Sequence, residues 1–118
     1  MPVYFLVVDI GTESVRAALV DNLGTIVGIQ SKPTDFFSPH AGWAEQRPDE
    51  WWELTVTCLR QLMSKHPDID VAAIGVSAQM HAVVPIDSHG TLLMEKVPIW
   101  CDKRSTEICQ QYQKEIFP

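Results

Sequence analysis

The run Val7-Val8-Asp9-Ile10-Gly11-Thr12-Glu13-Ser14-Val15-Arg16 constrains this chain more than any other part of it. An apolar segment, Val3 to Val8, carries an aspartate to its end. Gly11 and Thr12 then turn the chain, and a second apolar segment, Val15 to Val20, leads away. That spacing predicts a strand, a tight turn and a returning strand. Backbone N–H groups around Gly11 and the hydroxyls of Thr12 and Ser14 can donate to phosphate oxygens there, with Arg16 as a nearby cation. Asp9 suits a magnesium ion, directly or through waters, because magnesium favours one or two carboxylates together with phosphate oxygens. The same residues also fit an ordinary β-hairpin, and the motif by itself does not separate the two.

The other elements follow from pattern and punctuation. Strands are expected at Tyr4–Asp9, Val15–Val20 and Thr25–Gln30, with Asp21-Asn22-Leu23-Gly24 turning between the last two. A long irregular loop, Ser31 to Arg47, carries Pro33, Pro39 and Gly42. Pro48 suits the first position of a helix, and Asp49 and Glu50 suit its first turn. Trp51, Cys58, Leu59, Leu62 and Met63 keep a helical period that ends near Ser64–Pro67. Arg47 is a poor cap, so packing is expected to hold that helix start. Val71–Ser77 reads as a buried strand. Ala82–Asp87 and Thr91–Met94 read as a hairpin about Asp87-Ser88-His89-Gly90. Val97–Trp100 reads as extended and Ser105–Ile116 as helical, within a helix-like stretch from Asp102 to Phe117. The order indicates an α/β chain, a mixed β-sheet flanked by helices.

Composition excludes several partners. The chain has 118 residues, a net charge of -6 and no Lys/Arg cluster, which argues against nucleic acid. No apolar stretch approaches a membrane span, and no secretory signal is visible at the N-terminus. Cys58, Cys101 and Cys109 read as reduced thiols, so a cytoplasmic protein is expected. No His or Cys pair has metal-ligand spacing. Neither a P-loop nor a Gly-x-Gly-x-x-Gly turn is present.

Four motifs in order together resemble the N-terminal portion of the FGGY-type carbohydrate kinases, of the sugar kinase/actin/Hsp70 superfamily. They are Asp9-Ile10-Gly11-Thr12, then Gly42-Trp43-Ala44-Glu45-Gln46 before Pro48 and Trp51-Trp52. Ala73-Ile74-Gly75-Val76-Ser77-Ala78-Gln79-Met80-His81 and Trp100-Cys101-Asp102-Lys103-Arg104 complete the set. The resemblance implies an incomplete N-terminal portion, residues 1–118, of an RNase H-like (actin-like ATPase) domain, with the rest of that domain and a second domain absent. It implies ATP and Mg2+ as cofactors, with Asp9, Gly11, Thr12, Ser14 and Arg16 on the phosphate side. It also implies a catalytic aspartate beyond Pro118, so the chain alone is expected to be inactive.

Gln79-Met80-His81 is closest to the turn of xylulose kinases and departs from the Gln-Arg-Glu usual in glycerol kinases. By that likeness Met80 and His81 contact a ketopentose such as D-xylulose, and Gln79 is counted with them as substrate-binding. His81 following a strand also fits a structural histidine. Trp51 reads as a packing residue, whereas Trp43, in the long loop, suits the apolar face of a sugar. Asp102 either orients sugar hydroxyls or caps the final helix. His40, His66 and His89 read as solvated turn residues. Glu13 departs from the small or hydroxyl residue of many family members, and an acid beside a phosphate loop is repulsive unless it points to solvent. Rival readings are another specificity (ribulose, gluconate or another sugar acid or polyol), a non-catalytic sugar-binding module, and an actin- or Hsp70-like ATPase. A homodimer remains open for the full-length protein. The chain alone is expected to self-associate through an uncovered apolar surface.

Overall fold

A computed structural model describes residues 2–116. Its elements are β1 (Tyr4–Ile10), β2 (Ser14–Asp21), β3 (Ile26–Pro33), β4 (Glu45–Gln46), α1 (Pro48–Ser64), β5 (Val71–Ala78), β6 (Val97–Pro98) and α2 (Thr106–Ile116). They gather into two compact units. One comprises Met1–Asp35 and Arg47–Gln79, the other Phe36–Gln46 and Met80–Pro118. Phe117, the end of the helix-like stretch read from sequence, lies outside the described residues, as does Pro118.

The first unit is a four-stranded sheet of order β3-β2-β1-β5, backed by α1. β1 pairs antiparallel with β2 and parallel with β5, so the sheet is mixed. Alternation decides which face is covered: Leu6 and Val8 of β1, and Val15, Ala17 and Leu19 of β2, are buried. Cys58 and Leu62 of α1 meet Leu6, Ala17 and Leu19 in the core. Burying a side chain such as Leu19 or Leu62 stabilises the fold by roughly 1.5–3 kcal/mol. Burial pushes the Cys58 thiol pKa up, and its Sγ lies 3.7 Å from the Val15 carbonyl oxygen. Arg47 makes no side-chain cap, as expected, and α1 begins on Pro48 with Asp49 and Glu50 in its first turn. Gly28 lets β3 come close to α1. A Cβ there would lie 2.6 Å from His66 Nε2 and 3.0 Å from Leu62 Cδ1. His66 is thus a packing residue rather than a solvated one.

Three expectations need correction. β3 runs on to Pro33, because Ser31 and Lys32 pair with Arg16 and Val15 of β2. It is an edge strand, where proline is tolerated. β5 is a strand but not a buried one: Ile74 is 58% and Val76 69% exposed. Among the described residues, α1 packs over β1, β2 and β3, and no strand pairs with the other edge of β5. Third, Ala82–Asp87 and Thr91–Met94 form no strands, only one bridge between Ile86 and Leu92.

In the second unit β4 pairs antiparallel with β6. Val97 and Ile99 are buried there with Ala44. Every residue of α2 is at least partly exposed.

Candidate functional site

The phosphate-side residues lie together at one end of the first unit's sheet. Asp9 and Arg16 are opposite one another in the β1–β2 register, and Arg16 Nη2 lies 2.7 Å from Asp9 Oδ2. Both side chains stay nearly half exposed. Gly11 has no positive φ. Its value is room, since a Cβ there would lie 3.0 Å from Arg16 Nη2 and 3.2 Å from the Ser14 carbonyl oxygen. The Gly11 N–H donates to that Ser14 carbonyl at 3.0 Å, so this amide is engaged by the hairpin and is not open to phosphate, contrary to expectation.

Thr34 braces the turn from β3's end. Its hydroxyl donates to the Thr12 carbonyl at 2.7 Å, and its N–H donates to the Glu13 carbonyl at 3.0 Å. Glu13 is exposed. The Thr12 hydroxyl donates to Gln79 Oε1 at 3.3 Å, and the Gln79 N–H donates to the Ile10 carbonyl at 2.8 Å. Gln79 therefore belongs with the hairpin, because the parallel β1–β5 register brings both strand ends to one place. Asp9 is a single carboxylate among hydroxyls. That donor set fits magnesium held through waters and phosphate, and not a metal caged by protein ligands alone. Among the described residues no group of three or more His, Cys, Asp or Glu side chains could hold a metal ion.

Of the residues expected on the sugar side, Gln79 lies in the first unit, and Trp43, Met80, His81 and Asp102 lie in the second. Met80 is 70% exposed. His81 follows with φ 63°, a left-handed conformation uncommon for residues other than glycine. His81 lines a cavity of 380 Å³ together with Val83, Ile99, Trp100, Asp102 and Arg104. Trp43 is not among the lining residues. Its ring lies 3.7 Å beneath the Arg104 guanidinium carbon and meets the His40 ring edge-on, with centroids 4.6 Å apart.

Asp102 does not cap α2, which begins four residues later. Its Oδ1 accepts from the Arg104 N–H at 3.0 Å and Nε at 2.9 Å. Its Oδ2 accepts from Arg104 Nη2 at 2.8 Å and the Ala44 N–H at 2.7 Å. The Arg104 guanidinium holds the Asp102 carboxyl well below the ordinary carboxylate range, at about 2. Arg104 Nη2 also lies 3.3 Å from Glu45 Oε2. Sequence reasoning singled out neither Glu45 nor Arg104 as a site residue. The signal was present in the pairing of Gly42–Gln46 with Trp100–Arg104, but which side chains meet depends on β4 and β6 lying side by side.

Comparison with known proteins places the chain in a family. Residues 4–118 match the FGGY family of carbohydrate kinases, N-terminal domain. The chain is 30% identical over 112 residues to a xylulose kinase of Escherichia coli (strain K12), covering 95% of this chain and 23% of that protein. It is 32% identical over 114 residues to a glycerol kinase of Sinorhizobium fredii (strain NBRC 101917 / NGR234), covering 95% and 23%. A crystal structure of a xylulose kinase from Brucella ovis superposes with a TM-score of 0.88 at 31% identity, again covering 95% and 23%. The chain thus spans about a quarter of the length of the curated relatives it matches. Its sheet and helix are those of the actin-like ATPase fold. With its family pattern matched from Tyr4 to the chain's end, this chain belongs to the FGGY family of carbohydrate kinases, in that family's N-terminal domain.

Proposed function

We propose that the chain is the N-terminal part, residues 1–118, of an ATP-dependent sugar kinase whose acceptor is a neutral ketopentose of the D-xylulose type. One observation carries the reading. The Thr12–Gln79 hydrogen bond ties the phosphate-type hairpin to the strand end that leads into Met80 and His81. Phosphoryl transfer asks chiefly for positioning and charge neutralisation. On this reading Arg16 and the Thr12 and Ser14 hydroxyls orient phosphate oxygens, and Asp9 would hold a magnesium ion, directly or through waters. When bound, that ion offsets the charge of the transferred group. His81 and the cavity it lines orient the sugar. On this reading the acceptor's base comes from outside the described residues, and the 118 residues alone are expected to show no kinase activity.

The Met80-His81 pair favours the xylulose type over glycerol. ADP release from ATP and magnesium, measured on the full-length protein across ketopentoses, polyols and sugar acids, tests the proposal. Turnover with D-xylulose by the long form and none by the 118-residue chain is expected. Turnover confined to a sugar acid would replace the substrate, and sugar binding without turnover would favour a binding module.

The isolated chain should also self-associate, with a second copy as the occupant. The open edge of β5 lies beside a 440 Å³ groove lined by Val8, Ile10, Trp51, Trp52, Ile74 and Val76. Unpaired strand edges with apolar faces recruit further strands. A clean monomer by light scattering at high micromolar concentration would count against this. Among the described residues, no helix is long and apolar enough to cross a membrane.

A further inference from the structure

Asp102 and Arg104 both line the second unit's cavity, but their hydrogen bonds give them different parts. An ionised carboxylate has about four lone-pair sites. At Asp102 four donors take them: the Arg104 N–H, Nε and Nη2, and the Ala44 N–H. Its side chain is 5% exposed. Nothing is left to accept from a sugar hydroxyl.

Arg104 is the converse case. Its Nε and Nη2 are engaged by Asp102 and Glu45, and its plane rests on the Trp43 ring. Its Nη1 makes no hydrogen bond to any described residue, while the side chain stays 26% exposed at the cavity wall. A guanidinium pinned on one edge and stacked on one face is pre-organised to donate from the remaining edge. Its charge is already offset by two carboxylates, so the group suits hydroxyls and carbonyls rather than an anionic sugar.

We propose that Arg104 is a specificity-determining residue of the sugar pocket, donating from Nη1 to the oxygens of a neutral sugar. Asp102 is a positioning residue that acts through Arg104 and does not touch the sugar. The inference rests on the sugar-kinase reading above and extends it to residues not included there.

The test is steady-state kinetics on the full-length protein carrying Arg104→Gln, Asp102→Asn, the double variant and Arg104→Lys. Either of the first two should raise the KM for the neutral sugar about tenfold or more, with the KM for ATP unchanged. The double variant should be no worse than Arg104→Gln alone. Arg104→Lys keeps the charge without the planar fork, and should recover thermal stability but not the sugar KM. Multiplying effects in the double variant would overturn the proposal by showing that Asp102 acts independently. An unchanged sugar KM in Arg104→Gln, or a sugar acid preferred over the neutral ketose, would overturn it as well. If the wild type binds sugar but transfers no phosphate, the kinase reading has failed. Calorimetric Kd values for the same variants then decide the pocket assignment by the same pattern. A wild type that binds no neutral sugar overturns both.

Discussion

Asp21-Asn22-Leu23-Gly24-Thr25 and Asp87-Ser88-His89-Gly90-Thr91 share an Asp-x-x-Gly-Thr pattern and fold into the same turn. In each, the aspartate Oδ1 accepts from the N–H groups two and four residues on, at 2.8–2.9 Å. The aspartate N–H donates to the threonine carbonyl at 3.0 Å in both, and the glycines have φ 86° and 81°. The flanks differ entirely. The first turn joins two eight-residue strands, and the second joins segments that meet in one bridge. Turn geometry is local and these side chains suffice for it. A strand also needs neighbours to bury its face. Val15, Ala17 and Leu19 have α1 and the core, while Val83, Ile86 and Leu93 are 77%, 56% and 64% exposed. Pro85 further removes a ladder donor from the second pair.

The largest expected break in that comparison is truncation of a flank. Leu19→Ala should cost about 2–5 kcal/mol in urea unfolding. Ile86→Ala should stay within about 0.5 kcal/mol. Comparable losses would mean the second hairpin shares the core's cooperativity. Next comes Gly28→Ala, which drives a Cβ against Leu62 and His66 and should cost about 1–3 kcal/mol. A neutral result would mean that α1 shifts away from β3 without penalty.

Gly24→Ala and Gly90→Ala impose the same local conformational strain, about 1 kcal/mol each. The first should lower global stability. The second should speed amide exchange only around Asp87–Thr91, since little is built on that turn. The smallest effect is electrostatic. Backbone donors, Thr25 and Thr91 foremost, hold the Asp21 and Asp87 pKa values below their ordinary 3.8. Each folded turn therefore favours the carboxylate. Its contribution is complete above pH 3.8 and is lost as pH falls through the lowered folded value. Titrating the Leu23 and His89 amide shifts should give two midpoints below 3.8. A His89 midpoint at 3.8 would show that the second turn is not maintained in solution.

Much of the first unit was readable in the chain. Val3 to Val8 and Val15 to Val20 are apolar segments about the Gly11-Thr12 turn, Trp51, Cys58, Leu59, Leu62 and Met63 keep a helical period, and Pro48 marks where α1 starts. These are one-dimensional signals of local geometry, and they were enough to place β1, β2, α1 and the Asp9–Arg16 hairpin. Burial of β5 was not readable, because an apolar run looks the same whether or not another element covers it. Nor was the Gly11 N–H, whose partner is set by how tightly the hairpin closes. Tertiary structure alone decided the bond from the Ala44 N–H to Asp102, the contact of Arg104 with Glu45 and the stacking of Arg104 on Trp43. Residues 42–45 and 102–104 are far apart in sequence, and only the β4–β6 pairing brings their donors and acceptors within bonding distance. Local sequence sets which conformations are cheap, whereas side-chain partnership across such a separation exists only once the chain has folded.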